Sequence, residues 1–277
     1  MTKNNYWKKA LTVSETAVRN FHLIPLSTEI DYDLTNKYTD FEIRKLTNKY
    51  NFNDTFIGPK ENCFLPWDEE LSISPIQNNY QLILNKYPVQ MGHMLLISNK
   101  WSAQNGWLSL FDFEAVATVN NDTSGLWFLN SCKTAGASQP HRHFQILPRK
   151  LDQVICPRYK WFNNYRKDNS KSLYRNSHVI NFEFDNDVSD PEKLYRFYLI
   201  LCNSLSIGNP SEDLMPLKPY NLILTNNWMA LFSRTRDNIR GFSINSLGFA
   251  GYILCKTNSD VDWLNKYGPE HLLGYLT

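Results

Sequence analysis

Two histidines two residues apart, with an amide two residues further on, form the densest polar cluster of the chain: Gly136-Ala137-Ser138-Gln139-Pro140-His141-Arg142-His143-Phe144-Gln145-Ile146-Leu147-Pro148. Only six histidines occur in all 277 residues. In an extended strand, side chains alternate between faces, so His141, His143 and Gln145 project from one side and Arg142, Phe144 and Ile146 from the other. The loop just before, Thr134 to Gln139, offers small residues and therefore accessible backbone N–H groups suited to surrounding phosphate oxygens. Loop and strand together describe an anion site. A metal pair is the weaker reading, because no carboxylate or cysteine flanks the histidines and the third group in register, Gln145, is a poor ligand. An imidazole nucleophile fits better: neutral histidine attacks phosphorus directly and splits one nucleotidyl transfer into two easier displacements.

Such a strand must sit in a sheet, and the text around it supplies one. YQLILNKYP (80–88), HMLLISN (93–99), SGLWFLNSC (124–132) and HRHFQILPR (141–149) are short, apolar or alternating, and separated by turn residues. Apolar spacing predicts helices over Tyr6–Phe21 and Leu108–Val119, and a firmer one over Pro191–Ile207 with proline near its first turn. Asp40–Leu46 reads as a short strand, and residues 51–70 as loop. YNLILTNNWMALFSR (220–234) is expected to close a hairpin about Thr225-Asn226-Asn227. The small residues of SINSLGFAGYILCK (243–256) permit close backbone approach, and a polar helical tail is expected around Val261–Leu276. Hairpin-joined strands with a few helices argue for an α+β fold around a mostly antiparallel sheet with flanking helices. No glycine-rich phosphate fingerprint of the G-x-G-x-x-G or P-loop type is present.

Composition sets the outer bounds. A chain that is 42% hydrophobic and 14% aromatic is not intrinsically disordered. The 29 lysines and arginines nearly balance 27 aspartates and glutamates, giving a net charge of +2. That excludes a nucleic-acid binder held by a broad basic face, so any anionic ligand must be caught by a few placed groups. The five cysteines form no C-x-x-C pair, so no zinc site or disulfide framework is expected. No apolar run reaches membrane-spanning length, and a cytoplasmic protein without membrane association is the default expectation.

The H-x-H-x-Q core resembles that of the diadenosine polyphosphate phosphorylases (ATP adenylyltransferases), the nucleotidyltransferase branch of the histidine triad superfamily. NCFLPWDEEL (62–71), LILNKYPV (82–89), GHMLLI (92–97), YNLILT (220–225), WM (228–229) and SINSLGFAG (243–251) resemble further blocks of the family, in its order. The resemblance runs from about Asp40 to about Lys256. It implies a histidine-triad-like fold in one nucleotidyltransferase domain: an N-terminal arm over about 1–60, a catalytic core over 61–256 and a helical tail over 257–277. It also implies that His143 is the nucleophile that carries AMP, with His141 its neighbour and Gln145 the amide that binds the transferred phosphate. A third histidine at Gln145 would match the hydrolase branch instead. An amide can donate to a phosphoryl oxygen but cannot take a proton from water.

Asn130, Gly136, Ser138 and Gln139 match family positions that hold the nucleotide, and Lys256 matches a basic residue at the far end of the fold. A second phosphate-contacting lysine is expected near the N-terminal strand, where Lys49 is preferred to Lys45. Asn85 and Lys86 either line the nucleotide cleft or close a strand end, and His93 is expected to be structural. The sequence departs from the family pattern at Ala137, where serine is common, and at Cys63 and Ser233, where proline is common. The implied activity is phosphorolysis of diadenosine tetraphosphate to ATP and ADP, with no tightly bound cofactor and a divalent cation such as magnesium accompanying the nucleotide. The alternatives are a nucleoside-diphosphate-sugar phosphorylase and a nucleotide-binding protein without turnover.

Overall fold

The apolar runs become the inner strands of one large antiparallel sheet. The computed structural model describes residues 3, 5–47, 64–150, 152–166, 168, 170–182 and 187–277. Lys49 and Cys63 lie outside these.

Helix α1 (Asn5–Arg19) begins with its Tyr6 and Trp7 N–H groups donating to Asp122 Oδ1 and Thr123 Oγ1, borrowed caps from another helix's end. Strand β1 (Thr28–Ile30), helix α2 (Tyr32–Lys37), N-capped by the Asp31 carboxylate, and strand β2 (Glu42–Leu46) follow. Next come β3 (Ser72–Ile76), β4 (Tyr80–Leu84), β5 (Met94–Ser98), helix α3 (Leu110–Asp122), β6 (Gly125–Asn130) and β7 (His143–Pro148). Short helices α4 (Tyr159–Asn163) and α5 (Ser172–Arg175) lead to β8 (Ser177–Asn181) and to α6 (Pro191–Ser204), which has Asp190 as N-cap and proline in its first turn. The expected hairpin is β9 (Tyr220–Leu224) and β10 (Trp228–Ser233), where the Thr225 hydroxyl accepts from the N–H groups of Asn227 and Trp228. A ribbon of β11 (Asn238–Ile239) and β12 (Phe242–Ser243), helix α7 (Ser246–Phe249) and strand β13 (Tyr252–Cys255) come next. The expected tail helix is two helices, α8 (Val261–Tyr267) and α9 (Pro269–Gly274), broken where Gly268 takes φ +84° ahead of Pro269.

The main sheet runs β3-β4-β5-β7-β6-β9-β10-β8, with every neighbour antiparallel. A second sheet, β1-β2-β13, contains a parallel pair, β13 on β2. The fold is therefore α+β with a mostly antiparallel sheet and flanking helices. One face of the main sheet buries Leu96, Phe144 and Leu222 against Ala10 of α1, Phe113 of α3 and Leu201 of α6. The other buries Leu126, Phe128 and Ile223 against Phe162, Phe249, Ile253 and Leu272 from the second sheet and the later helices. Central strands buried on both faces have no solvated side to vary, which is why β4, β5, β6, β9 and β10 read as continuous apolar runs.

Candidate active site

Strand β7 and the two residues before it hold the polar cluster singled out in the sequence, and side-chain alternation divides them as expected. Phe144 and Ile146 enter the core under α3 and α6, and Arg142 on the same side pairs with Asp112 at 3.0 Å. His141, His143 and Gln145 face the opposite way, where Phe64 stands edge-on to both imidazoles at 5.7 and 5.4 Å.

His143 Nδ1 lies 2.7 Å from the carbonyl of His141. A carbonyl only accepts, so Nδ1 carries the proton and Nε2 keeps its lone pair. Burial pushes the imidazole down to about 4, so it is neutral at physiological pH. His141 is tied elsewhere: its Nε2 sits 2.9 Å from the carbonyl and 3.0 Å from the hydroxyl of Ser98. Its buried Nδ1 meets no partner among the described residues, and burial lowers its pKa too.

Gln145 is oriented through two further side chains. Asn85 Nδ2 lies 3.3 Å from His93 Nδ1, and His93 Nε2 lies 3.0 Å from Gln145 Oε1. The Asn85 amide donates, so His93 accepts at Nδ1 and donates from Nε2 to the Gln145 oxygen. The Gln145 NH2 group is left to donate to a ligand. Burial drives His93 down to about 3, fixing it as the neutral relay this requires. The other end of Asn85 accepts from the Tyr87 N–H at 3.0 Å. The Asn85 side chain is thus engaged with His93 and Tyr87 at the end of β4. His93 is structural in the sense that it holds Gln145.

The loop between β6 and β7 starts with a single turn over Lys133–Ala135 and closes on Gly136 at φ +86°. A Cβ at Gly136 would meet Asn245 Cβ at 2.8 Å, so glycine is required by both conformation and packing. The expected row of free N–H groups is shorter than the sequence implied. Those of Ala135 and Ala137 donate to Cys132 O, and that of Gly136 donates to Lys133 O. The N–H groups of Ser138 and Gln139 have no partner among the described residues. With Gln104, Asn105, Ser131, Cys132, Lys133 and Pro140 they line a cavity of about 450 Å³.

Asn130 is buried at the end of β6, where its Oδ1 accepts from Asn221 Nδ2, the Ser246 N–H and the Ser246 hydroxyl at 2.7–2.9 Å. Asn221 in turn accepts from Arg234, a buried guanidinium that also donates to the carbonyls of Ile244, Arg236 and Leu276. Lys256 follows β13 with an exposed side chain, and no hydrogen bond or ion pair joins it to β7 among the described residues. Lys45, the lysine not preferred, pairs with Asp31 at 2.8 Å. Sequence reasoning missed Gln104, Ser98, Asn221, Ser246 and Arg234. Their main partners are backbone atoms or one another, and neither leaves a spacing signal.

Comparison with known proteins agrees along the chain. Residues 1–157 match the family model of the Ap4A phosphorylase N-terminal domain, and residues 171–277 that of the ATP adenylyltransferase C-terminal domain. The Saccharomyces cerevisiae protein named Protein APA1 is 28% identical over 218 aligned positions, 69% of this chain and 67% of its own. Diadenosine 5',5'''-P1,P4-tetraphosphate phosphorylase 2 of the same yeast is 26% identical over 301 aligned positions, 96% of this chain and 92% of its own. The crystal structure of yeast Ap4A phosphorylase Apa2 superposes with a TM-score of 0.73 at 22% identity, covering 100% of this chain and 94% of that one. Apa2 in complex with Ap4A gives 0.71 at 21% identity, covering 100% and 97%. The fold is shared from end to end.

Proposed function

Because this chain belongs to the Ap4A phosphorylase family, we propose that it is a nucleotidyltransferase that phosphorolyses diadenosine tetraphosphate to ATP and ADP through an AMP–His143 intermediate. In the first step, His143 Nε2 attacks the phosphorus next to one adenosine; the P–N bond forms, the bridging P–O bond breaks and ATP departs. In the second, an oxygen of inorganic phosphate attacks the same phosphorus, the P–N bond breaks and ADP leaves. A polyphosphate anion is a good leaving group, so the first step makes little demand on a general acid. The observation that carries this reading is the bare Nε2 of a buried, neutral His143 whose Nδ1–H is held by the His141 carbonyl.

Gln145, aimed by His93, donates to the transferred phosphoryl group, where the charge of the five-coordinate phosphorus develops. The N–H groups of Ser138 and Gln139 take the polyphosphate beside the cavity, Gly136 sets the conformation of their loop, and Asn130 joins loop to sheet. Lys256 and Lys49 supply point charges to phosphate oxygens. Among the described residues no three His, Cys, Asp or Glu side chains gather to hold a metal. A divalent cation such as magnesium accompanies the nucleotide on its own phosphates. No helix among the described residues is long and apolar enough to cross a membrane, and the whole chain acts as one catalytic unit.

The test is incubation with diadenosine tetraphosphate, with and without phosphate, followed by separation of the nucleotides. The expected result is turnover to ATP plus ADP with phosphate, and without it no ADP and at most one equivalent of ATP per enzyme. ATP plus AMP would make the protein a hydrolase, and binding without products would make it a nucleotide-binding protein.

A further inference from the structure

The antiparallel ladder between β6 and β7 stops at Phe128 opposite Gln145. Continued by two residues, it would place Asn130 opposite His143. Instead the loop 102–104 takes the place of β6 beside the histidine strand: Arg142 N–H donates to Ser102 O, Gln104 N–H donates to Pro140 O, and Ala103 bridges His141. At the point where the two strands part, the fully buried Gln104 side chain spans the gap. Its Oε1 accepts from the His143 N–H at 2.8 Å, and its Nε2 donates to the carbonyls of Asn130 at 2.8 Å and His143 at 3.1 Å. One amide thus replaces the missing rungs of a ladder and uses its acceptor and both donors. The loop that delivers it is itself fixed, because Arg142 donates to the carbonyls of Ala103, Gly106 and Trp107.

We infer that Gln104 is the positioning residue of the nucleophile, a wedge that holds β6 and β7 apart at their catalytic end and clamps the main chain of His143. Both main-chain groups of His143 that face β6 are fixed by this one side chain, and the imidazole proton rests on the carbonyl two residues back in the same strand. Movement of the strand end therefore moves Nε2 directly. The inference rests on the proposed AMP–His143 intermediate.

The test separates chemistry from binding in Q104M, which keeps the length of the side chain and removes all three bonds. Single-turnover formation of the AMP–enzyme from diadenosine tetraphosphate is followed by intact mass, well below each protein's melting temperature, and affinity is measured with AMP. The expected result is a fall in the adenylylation rate of about 100-fold, the scale of a misplacement of about 1 Å, with AMP affinity within about threefold of wild type. A wild-type rate in Q104M overturns the inference. So does a parallel loss of rate and affinity, which would make Gln104 a general support of the pocket. Should Q104M not fold, Q104E carries the same comparison, since it keeps the acceptor and loses the two donated bonds. Failure of both to fold also overturns it. A wild-type enzyme that never gains AMP refutes the proposed function itself, a separate outcome.

Discussion

A histidine can serve as a phosphorus nucleophile only while one ring nitrogen is bare, and three features keep Nε2 of His143 so: a carbonyl on Nδ1, burial, and edge-on Phe64. His143→Ala should therefore abolish the mass gain of one AMP on exposure to substrate while leaving the far-UV circular dichroism unchanged; residual labelling would place the nucleophile elsewhere. The same burial moves the acid limb of adenylylation. An ordinary histidine would lose its lone pair near 6.5, whereas His143 keeps it down to about 4. On the proposed mechanism Gln145 decides what comes next, because its amide can donate but cannot accept a proton from water. Gln145→His should raise the ratio of AMP to ADP released by at least about tenfold, the lower end of what a positioned base contributes. An unchanged ratio would move acceptor choice to the groups that hold phosphate.

At the scale of elements, the loop between β6 and β7 turns on one glycine. Gly136 sits in the left-handed region and a side chain there strikes Asn245, so Gly136→Ala should destabilise the fold by about 1–3 kcal/mol. It should also raise KM for the dinucleotide, as the N–H groups of Ser138 and Gln139 shift; thermal melting and steady-state kinetics read the two effects separately. The sequence announced this loop by its small residues and β7 by alternation, because both follow from local geometry. The strands it did not announce include β3 and β8, the two edges of the main sheet. Edge strands need no continuous apolar run, and β3 even carries Pro75, whose missing N–H an edge can tolerate. Helix α2 and strand β1 were missed as well, being too short for a periodicity to develop. Gln104 was silent for another reason. Its function is addressed to main-chain atoms of His143 and Asn130, which any sequence would supply.

For the whole molecule, the two regions matched by separate family models meet inside one sheet, where β6 from the first pairs with β9 from the second. The site therefore exists only while the entire sheet is folded, and its histidines tie global stability to pH. His93, His141 and His143 are all held below the ordinary histidine value, chiefly by burial. In the unfolded chain each would titrate near 6.5. Between that value and the folded ones the unfolded state binds protons that the native state refuses, so stability is full above about 6.5 and falls with acidification. Each proton so linked contributes a slope of roughly 1.4 kcal/mol per pH unit. Urea midpoints should thus drop steadily from pH 7 to pH 5 with little change in m, and His143→Ala should reduce the slope by about one proton. Activity lost over that interval should track the unfolded fraction rather than protonation of the nucleophile, and should return on restoring the pH. A urea midpoint that stays flat from pH 7 to pH 5 would mean that water reaches these imidazoles, and that His143 owes its neutrality to ordinary titration rather than to burial.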